Sequence, residues 1–223
     1  MDISSLDYVN FRRIFERGTA EVIEEDDELL FFFDTISETY MLACDDGERA
    51  KSVLDKHAGR GYEILTTTSK DAVDHMIEKY GFKNIEECWQ FAYTGEKPEL
   101  DPRLTFRTAE LSDLPVIAES YDMLSEDDIA ANIERGVVLL AYEGETLVGF
   151  IGEHLEGSVG MLFVYPEHRF KGYATALENA VFARMIDQGL IPFGQVISDN
   201  EASLSLQKKN GLTMGSRKVY WTW

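Results

Sequence analysis

The pattern Arg169-x-x-Gly172-x-Ala174 is the part of this sequence best suited to chemistry. It stands where an apolar strand ends and an amphipathic helix begins. Small residues at positions 172 and 174 leave backbone N–H groups accessible, and the positive end of the helix dipole adds to them. Such a turn predicts a cradle for a pyrophosphate. It is not a Walker loop, because Lys171 precedes Gly172 and no Gly-Lys-Ser/Thr follows.

The elements that position this turn are predicted to form a mixed α/β sheet. Helices are recognised by N-cap residues, by apolar residues every three or four positions and by a closing glycine, and strands by short apolar runs between turn residues. Over residues 104–223 the predicted order is β-α-α-β-β-β-α-β-α-β. The predicted segments are a strand at 104–107, helices capped by Ser112 and Ser125, strands at 137–143, 146–154 and 158–165, a helix at 173–188, a strand at 193–198, a helix at 201–210 and a strand at 219–223.

A linker is predicted at residues 94–103. This segment contains Gly95, Pro98 and Pro102 together with several charged residues, and it cannot continue a helix or a central strand. We therefore place a domain boundary near residue 100. The division predicts an N-terminal domain over residues 1–100 and a catalytic domain over residues 101–223.

Composition limits the classes of partner. The chain has 223 residues, 41 acidic and 21 basic, and a formal net charge of −20. This charge repels nucleic acid phosphates and anionic lipid head groups, so neither nucleic acid nor membrane is expected as a partner. No apolar run approaches the ~18 residues of a membrane span, and no signal peptide is visible, so we expect a cytoplasmic protein. Cys44 and Cys88 offer neither a disulfide framework nor metal-ligand spacing, and no metal is expected.

Several motifs in the same order resemble the GNAT (GCN5-related N-acetyltransferase) superfamily. Arg169-x-x-Gly172-x-Ala174 after an apolar strand is similar to the acetyl-CoA pyrophosphate loop of that superfamily. The resemblance covers residues 104–223, and it is greatest to the glycine N-acyltransferase-like, or FR47-like, branch. The other supporting segments are residues 106–115, 198–203 and 210–212, with residues 192–200 and Tyr220-Trp221 pointing to the branch.

The resemblance implies a binding role for three groups of residues. Leu162, Phe163 and Val164 would offer backbone groups at the bulged end of a central strand, where the pantetheine arm adds like an extra strand. Asn200 and Ser203 would hydrogen-bond the pantetheine, although Asn200 is also a good helix N-cap. The pyrophosphate would be held by the N–H groups of Arg169, Phe170, Lys171, Gly172, Tyr173, Ala174 and Thr175.

The catalytic residues are harder to assign, because the sequence departs from the superfamily at the expected positions. Acyl transfer to an amine needs a route for the amine proton, donors for the oxyanion and an acid for the leaving thiolate. Relatives often carry a base at the positions of Ser158 and Gly160, and many carry a tyrosine acid at the position of Gln207. The candidates for the base are Glu153 and His154, which a regular strand would place on opposite faces.

Other interpretations of this region stay open at this stage. Glu156 beside Gly157 is typical of a solvated turn residue, and His154 of a surface residue at a strand end. Proton loss through water, with no essential base, is an equal alternative, because alignment of the reactants supplies much of the rate.

The first hundred residues contain no catalytic motif, but they echo the second half. Gly81 follows a predicted helix and lies ten residues before Phe91, and Gly211 follows another and lies ten residues before Trp221. We therefore expect a degenerate copy of the same fold at the N-terminus, as the branch resemblance also implies.

The sequence predicts an N-acetyltransferase that transfers an acyl group, chiefly acetyl, from acyl-CoA to a primary amine of a small molecule, an amino acid or a peptide. Acetyl-CoA would be the co-substrate, and the amine would attack it directly in a ternary complex. The alternative is a non-catalytic acyl-CoA-binding sensor or interaction module. The acceptor amine and the acyl-chain preference cannot be read from the sequence, and a homodimer is left open.

Overall fold

The computed structural model of the protein describes residues 2–223, which form two compact units. The first unit contains the residues up to Ala92, residues 195–208 and residues 213–223. The second contains Tyr93–Gly194 and Lys209–Leu212. The compact units are therefore not two consecutive segments, because the chain returns to the first unit after Gly194. The division into domains at residue 100 stays a prediction.

In the first unit the second and third strands of the chain pair antiparallel, and the third and fourth pair parallel. Two hydrophobic clusters pack against this sheet. One cluster packs against α2 and α3, and the other packs against α1. The elements are α1 (Val9–Arg17), β1 (Ala20–Glu25), β2 (Leu29–Asp34), β3 (Thr39–Cys44), α2 (Gly47–Lys56), β4 (Leu65–Thr67), α3 (Lys70–Tyr80) and β5 (Ile85–Ala92).

The rest of the chain confirms the predicted order of elements and the α/β fold class. The elements are β6 (Thr105–Thr108), α4 (Leu114–Ser120), α5 (Glu126–Glu134), β7 (Leu139–Glu143), β8 (Thr146–Glu153), β9 (Val159–Val164), α6 (Tyr173–Asp187), β10 (Phe193–Ile197), α7 (Glu201–Lys209) and β11 (Thr213–Thr222).

The strands of residues 104–223 are divided between two sheets, which the sequence did not indicate. The larger sheet has the order β1-β2-β3-β4-β11-β5-β10, and the smaller one has the order β6-β7-β8-β9. β11 lies between β4 and β5 and is antiparallel to both. A strand from the end of the chain thus completes the sheet of the N-terminal half. Apolar periodicity identifies a strand but not its partner, so this pairing could not be predicted.

Local capping explains where the helices begin and end. Ser125 caps α5 as predicted, since its hydroxyl accepts a hydrogen bond from the backbone N–H of Asp128 at 3.1 Å. The predicted cap at Ser112 is wrong. Glu110 and Asp113 form a reciprocal capping box around a short 3-10 turn instead, and α4 follows that turn.

Helices cover both faces of the smaller sheet. Phe150 of β8 and Met161 of β9 are buried in one cluster with residues of α4 and α5. Gly149 faces α6 instead, because a Cβ atom at this position would come within 3.2 Å of Leu177. Successive residues of β8 therefore point to different helices.

The echo between the two halves has a structural counterpart. Gly81 and Gly211 both adopt a left-handed conformation just after a helix, with φ near +77° and +76°. The strands that follow them, β5 and β11, pair with each other, and Cys88 lies opposite Val219.

Within residues 2–223, no helix has the length and apolar character needed to cross a membrane.

Candidate functional site

The edge strand β9 carries a β-bulge. Phe150 pairs with Phe163 and Gly152 pairs with Gly160, so β9 has one residue more than β8 between these pairs. Met161 adopts φ +53° at this point, which is unusual for a residue other than glycine. In the described part of the chain β9 pairs only with β8, and the backbone groups of its other edge are available to a ligand.

The start of β9 lies close to the chain at Gly194. Gly194 at the beginning of β10 lies so close to β9 that a Cβ atom there would be 3.0 Å from the carbonyl oxygen of Val159. The two strands nevertheless form no ladder among the described residues. The predicted pantetheine residues Leu162, Phe163 and Val164 lie on the half-buried stretch beyond this approach.

The turn between β9 and α6 presents a series of unpaired backbone amides. Within residues 2–223, no backbone carbonyl accepts from the N–H groups of residues 170–175, and the first bond at this helix end runs from Ala176 to Gly172. Phe170 and Gly172 adopt left-handed conformations, with φ +63° and +85°. These N–H groups and the dipole of the 15-residue helix α6 make an anion site.

Arg169 differs from the other predicted cradle residues. Its N–H donates to the carbonyl of Pro166 at 3.3 Å, so this amide is used inside the turn, and its contact with a phosphate stays a prediction. The side chain of Arg169 is also engaged, because Nε donates to the carbonyl of Val164 at 3.0 Å. Arg169 therefore ties the end of β9 to the turn.

Positive charge lies beside the turn although the chain is acidic. Nη2 of Arg103 donates to the carbonyl of Lys171 at 3.2 Å. The pairing of Arg103 with Asp101 balances part of its charge and raises the pKa of its guanidinium. A groove of about 440 Å³ opens beside Gly172, between residues 99–103 and α6.

Asn200 and Ser203 lie at the start of α7, in the first compact unit. The side-chain oxygen of Asn200 accepts a hydrogen bond from the backbone N–H of Ser203 at 3.0 Å. The structure thus confirms the N-cap interpretation of Asn200. Contact of these two residues with pantetheine stays a prediction. Gln207, at the position of the expected tyrosine, is buried.

Glu153 is held in a buried ion pair on the α6 face of the smaller sheet. Its side chain is 2% exposed and lies 3.8 Å from the guanidinium of Arg184. Arg184 also donates to the carbonyls of Gly136 and Val137, at 3.1 and 2.8 Å. Burial lowers the pKa of Arg184, and the charge of Glu153 opposes that shift. These contacts give Glu153 a structural partner on α6.

His154 lies over β9. Its imidazole Nε2 occupies the space where a Cβ atom of residue 160 would stand. The turn after β8 fixes its backbone, since its N–H donates to the carbonyl of Ser158 at 2.8 Å and its carbonyl accepts from Gly157 at 2.9 Å. The structure therefore separates the two candidate bases, because Glu153 contacts α6 and His154 contacts Gly160.

Two further polar groups lie near this point. Glu156 is only 8% exposed and accepts a hydrogen bond from Ser158, so the expectation of a solvated turn residue is wrong. The turn folds back over the sheet, which a three-residue polar stretch does not reveal. Burial raises the pKa of Tyr121, and a hydrogen bond with the backbone of Met161 opposes the rise. The sequence contains no signal for Tyr121, which lies just after α4.

The fold and the turn together define a class of site. A bulged edge strand followed by exposed amides at the start of a long helix suits an anionic ligand with an extended, amide-bearing arm. Residues 102–212 match the model of the acetyltransferase (GNAT) family, and this segment is a domain of that family, whose members transfer acyl groups from acyl-CoA.

Solved structures of the same fold extend over almost the whole chain. A Drosophila protein is 15% identical with a TM-score of 0.65, covering 98% of this chain and 89% of its own. A GCN5-related N-acetyltransferase from Kribbella flavida is 9% identical with a TM-score of 0.60, covering 96% and 94%. A tandem GNAT protein from the clavulanic acid biosynthesis pathway is 13% identical with a TM-score of 0.51, covering 97% and 87%.

These similarities show the fold of both halves. The resemblance to the FR47-like branch rests on the sequence motifs alone. No curated protein matches the chain significantly by sequence.

Proposed function

We propose that this protein is an N-acetyltransferase that transfers acetyl from acetyl-CoA to a primary amine of a small molecule, an amino acid or a peptide. The amine attacks the thioester directly while both substrates are bound. The observation that carries the proposal is the row of unpaired amides at residues 170–175, next to the bulged edge of β9. The family match of residues 102–212 supports it.

Each part of the co-substrate has a candidate site on this surface. The amides of residues 170–175 hold the pyrophosphate, and the free edge of β9 at Leu162, Phe163 and Val164 binds the pantetheine amides. The groove beside Gly172 gives room to the nucleoside. Backbone donors of this kind let a chain with a net charge of −20 bind a polyanion, because the attraction is local.

The test is titration of the protein with acetyl-CoA, followed by measurement of CoA release with a panel of amines. We expect Gly172→Glu to lower the affinity at least about 100-fold, or about 2.8 kcal/mol, because it places a carboxylate among the amides. Gly189→Glu is the matched control, since Gly189 has φ +76° at the other end of α6 with no neighbour within 4 Å. Equal affinities of the two variants for acetyl-CoA would contradict the prediction that the amides of residues 170–175 hold the pyrophosphate.

A second candidate function is a non-catalytic acyl-CoA-binding module. Ser158, Gly160 and Gln207 favour it, because none of them can serve as the base or acid that relatives use at these positions. Tight binding of acetyl-CoA without CoA release above the uncatalysed rate, for every amine tested, would support this alternative.

A further inference from the structure

Gly160 and His154 form a matched pair. Nε2 of His154 fills the position that any side chain at residue 160 would need. Gly160 lies opposite Gly152 in the ladder between β8 and β9, and a Cβ atom at Gly152 would approach Val138 and Met161. The imidazole therefore lies on the face of the sheet that α4 and α5 cover, where Met161 is buried.

The same face carries the polar groups described above. Tyr121 contacts the backbone of Met161, one residue after Gly160, and Glu156 is bound to Ser158. Arg135, at the C-terminal end of α5, donates to the carbonyl of His154 at 3.5 Å. Glu153 lies on the opposite face with Arg184. Of the two titratable side chains at the end of β8, only His154 lies next to the bulge.

We propose that His154 is the catalytic base of the acyl transfer. Its imidazole occupies the space that the missing side chain of Gly160 leaves open. This inference rests on the proposed function. Relatives often carry a base on β9 at the position of Gly160, which has no side chain in this protein. The imidazole of His154, which follows the neighbouring strand β8, occupies that position instead. The absence of a base from residue 160 is thus a relocation of the group rather than its loss.

The proton transfer balances without any other reactant. The lone pair of the amine nitrogen forms a bond to the thioester carbonyl carbon, and the N–H proton passes to Nε2 of His154. The C–S bond then breaks, the amide is released, and the CoA sulfur leaves with the electron pair. The proton returns from the imidazolium to that thiolate or to water, so His154 is neutral again.

The first experiment compares variants of the intact protein by kcat and by affinity for acetyl-CoA, with any amine that the wild type acetylates. We expect His154→Gln to lower kcat about 100-fold or more while its affinity for acetyl-CoA is unchanged, since a positioned base contributes 10²–10⁴-fold. The histidine control His75→Gln, on α3, should keep a kcat within a few-fold of wild type.

The second experiment exploits the shared space. Gly160→His alone should impair the protein, because two side chains then compete for one position. The double variant His154→Gly with Gly160→His moves the imidazole onto β9 and should regain at least tenfold in kcat over His154→Gly alone. Such a rescue is not expected if His154 only packs against the sheet.

The outcomes separate this inference from the function on which it rests. Wild-type protein that releases no CoA with any amine overturns the proposed function. Wild-type turnover with a His154→Gln variant of equal kcat overturns the role of His154 alone. A loss of kcat in Glu153→Gln that exceeds the loss in His154→Gln, with the wild-type melting temperature retained, would assign the base to Glu153 and also overturn the inference.

Discussion

Asp34 at the end of β2 is a single residue that holds several donors. It is fully buried and accepts hydrogen bonds from Thr19 at 2.6 Å, from the N–H of Ser37 at 3.1 Å and from Arg17 at 2.8 Å. Burial raises the pKa of Asp34, but hydrogen bonds from Ser37 and Thr19 and the charge of Arg17 outweigh it, so the pKa lies below its ordinary value.

The low pKa of Asp34 predicts an acid-sensitive contribution to stability. Because the pKa of Asp34 is lower in the folded state, the ionised carboxylate stabilises the fold at pH values above its ordinary pKa of about 3.9. This contribution is lost as the pH falls through the pKa of the folded state. We expect Asp34→Asn to cost about 3 kcal/mol in urea unfolding at pH 7 and to flatten the dependence of stability on pH below about 4. The exposed control Glu21→Gln should change neither the free energy of unfolding nor its pH dependence. If Asp34→Asn leaves the pH dependence of stability below about pH 4 unchanged, Asp34 is not the source of the acid sensitivity.

Single residues also show where sequence reasoning succeeds. Ser125 and the glycines after helices were predictable because a cap or a left-handed turn depends on a few neighbouring residues. Glu156 was not, because its burial depends on a turn folding back over the sheet. The relation of His154 to Gly160 depends on the pairing of two strands, and only the structure could reveal it.

At the scale of elements, the ion pair of Arg184 and Glu153 joins α6 to β8. Arg184→Met leaves the carboxylate buried without this cation, so we expect a loss of about 3 kcal/mol in the free energy of unfolding. Glu153→Gln added to Arg184→Met should recover part of the loss, and a double-mutant cycle measures the coupling. Strictly additive losses would show that the two side chains do not interact.

Most element boundaries in residues 104–223 were predicted within a few residues, but β11 begins at Thr213, six residues before the predicted start at 219. The strand partners were not predicted. The predicted strand at 158–165 corresponds to β9, and the predicted helix at 173–188 corresponds to α6. Both are set by local patterns. The bulge in β9 was implied only by the family resemblance, and the place of β11 between β4 and β5 depends on residues more than a hundred positions away.

At the scale of the whole molecule, the position of β11 between β4 and β5 predicts that neither half of the sequence folds on its own. A protein that ends at Leu212 lacks the strand between β4 and β5, and residues 101–223 alone leave β11 with neither of its partners. We expect both fragments to lose cooperative thermal unfolding, measured by circular dichroism, whereas the full chain unfolds cooperatively. A cooperative transition in the 101–223 fragment would instead establish the proposed domain division.

The central position of β11 also has a consequence for biosynthesis. On the ribosome the N-terminal half emerges first, but the strand that completes its sheet is made more than a hundred residues after β5. Until residues 213–222 leave the exit tunnel, the edges of β4 and β5 stay open to other strands in the nascent chain or in neighbouring chains. Slow translation therefore prolongs the exposure of these edges, and a premature stop before residue 213 leaves both of them uncovered.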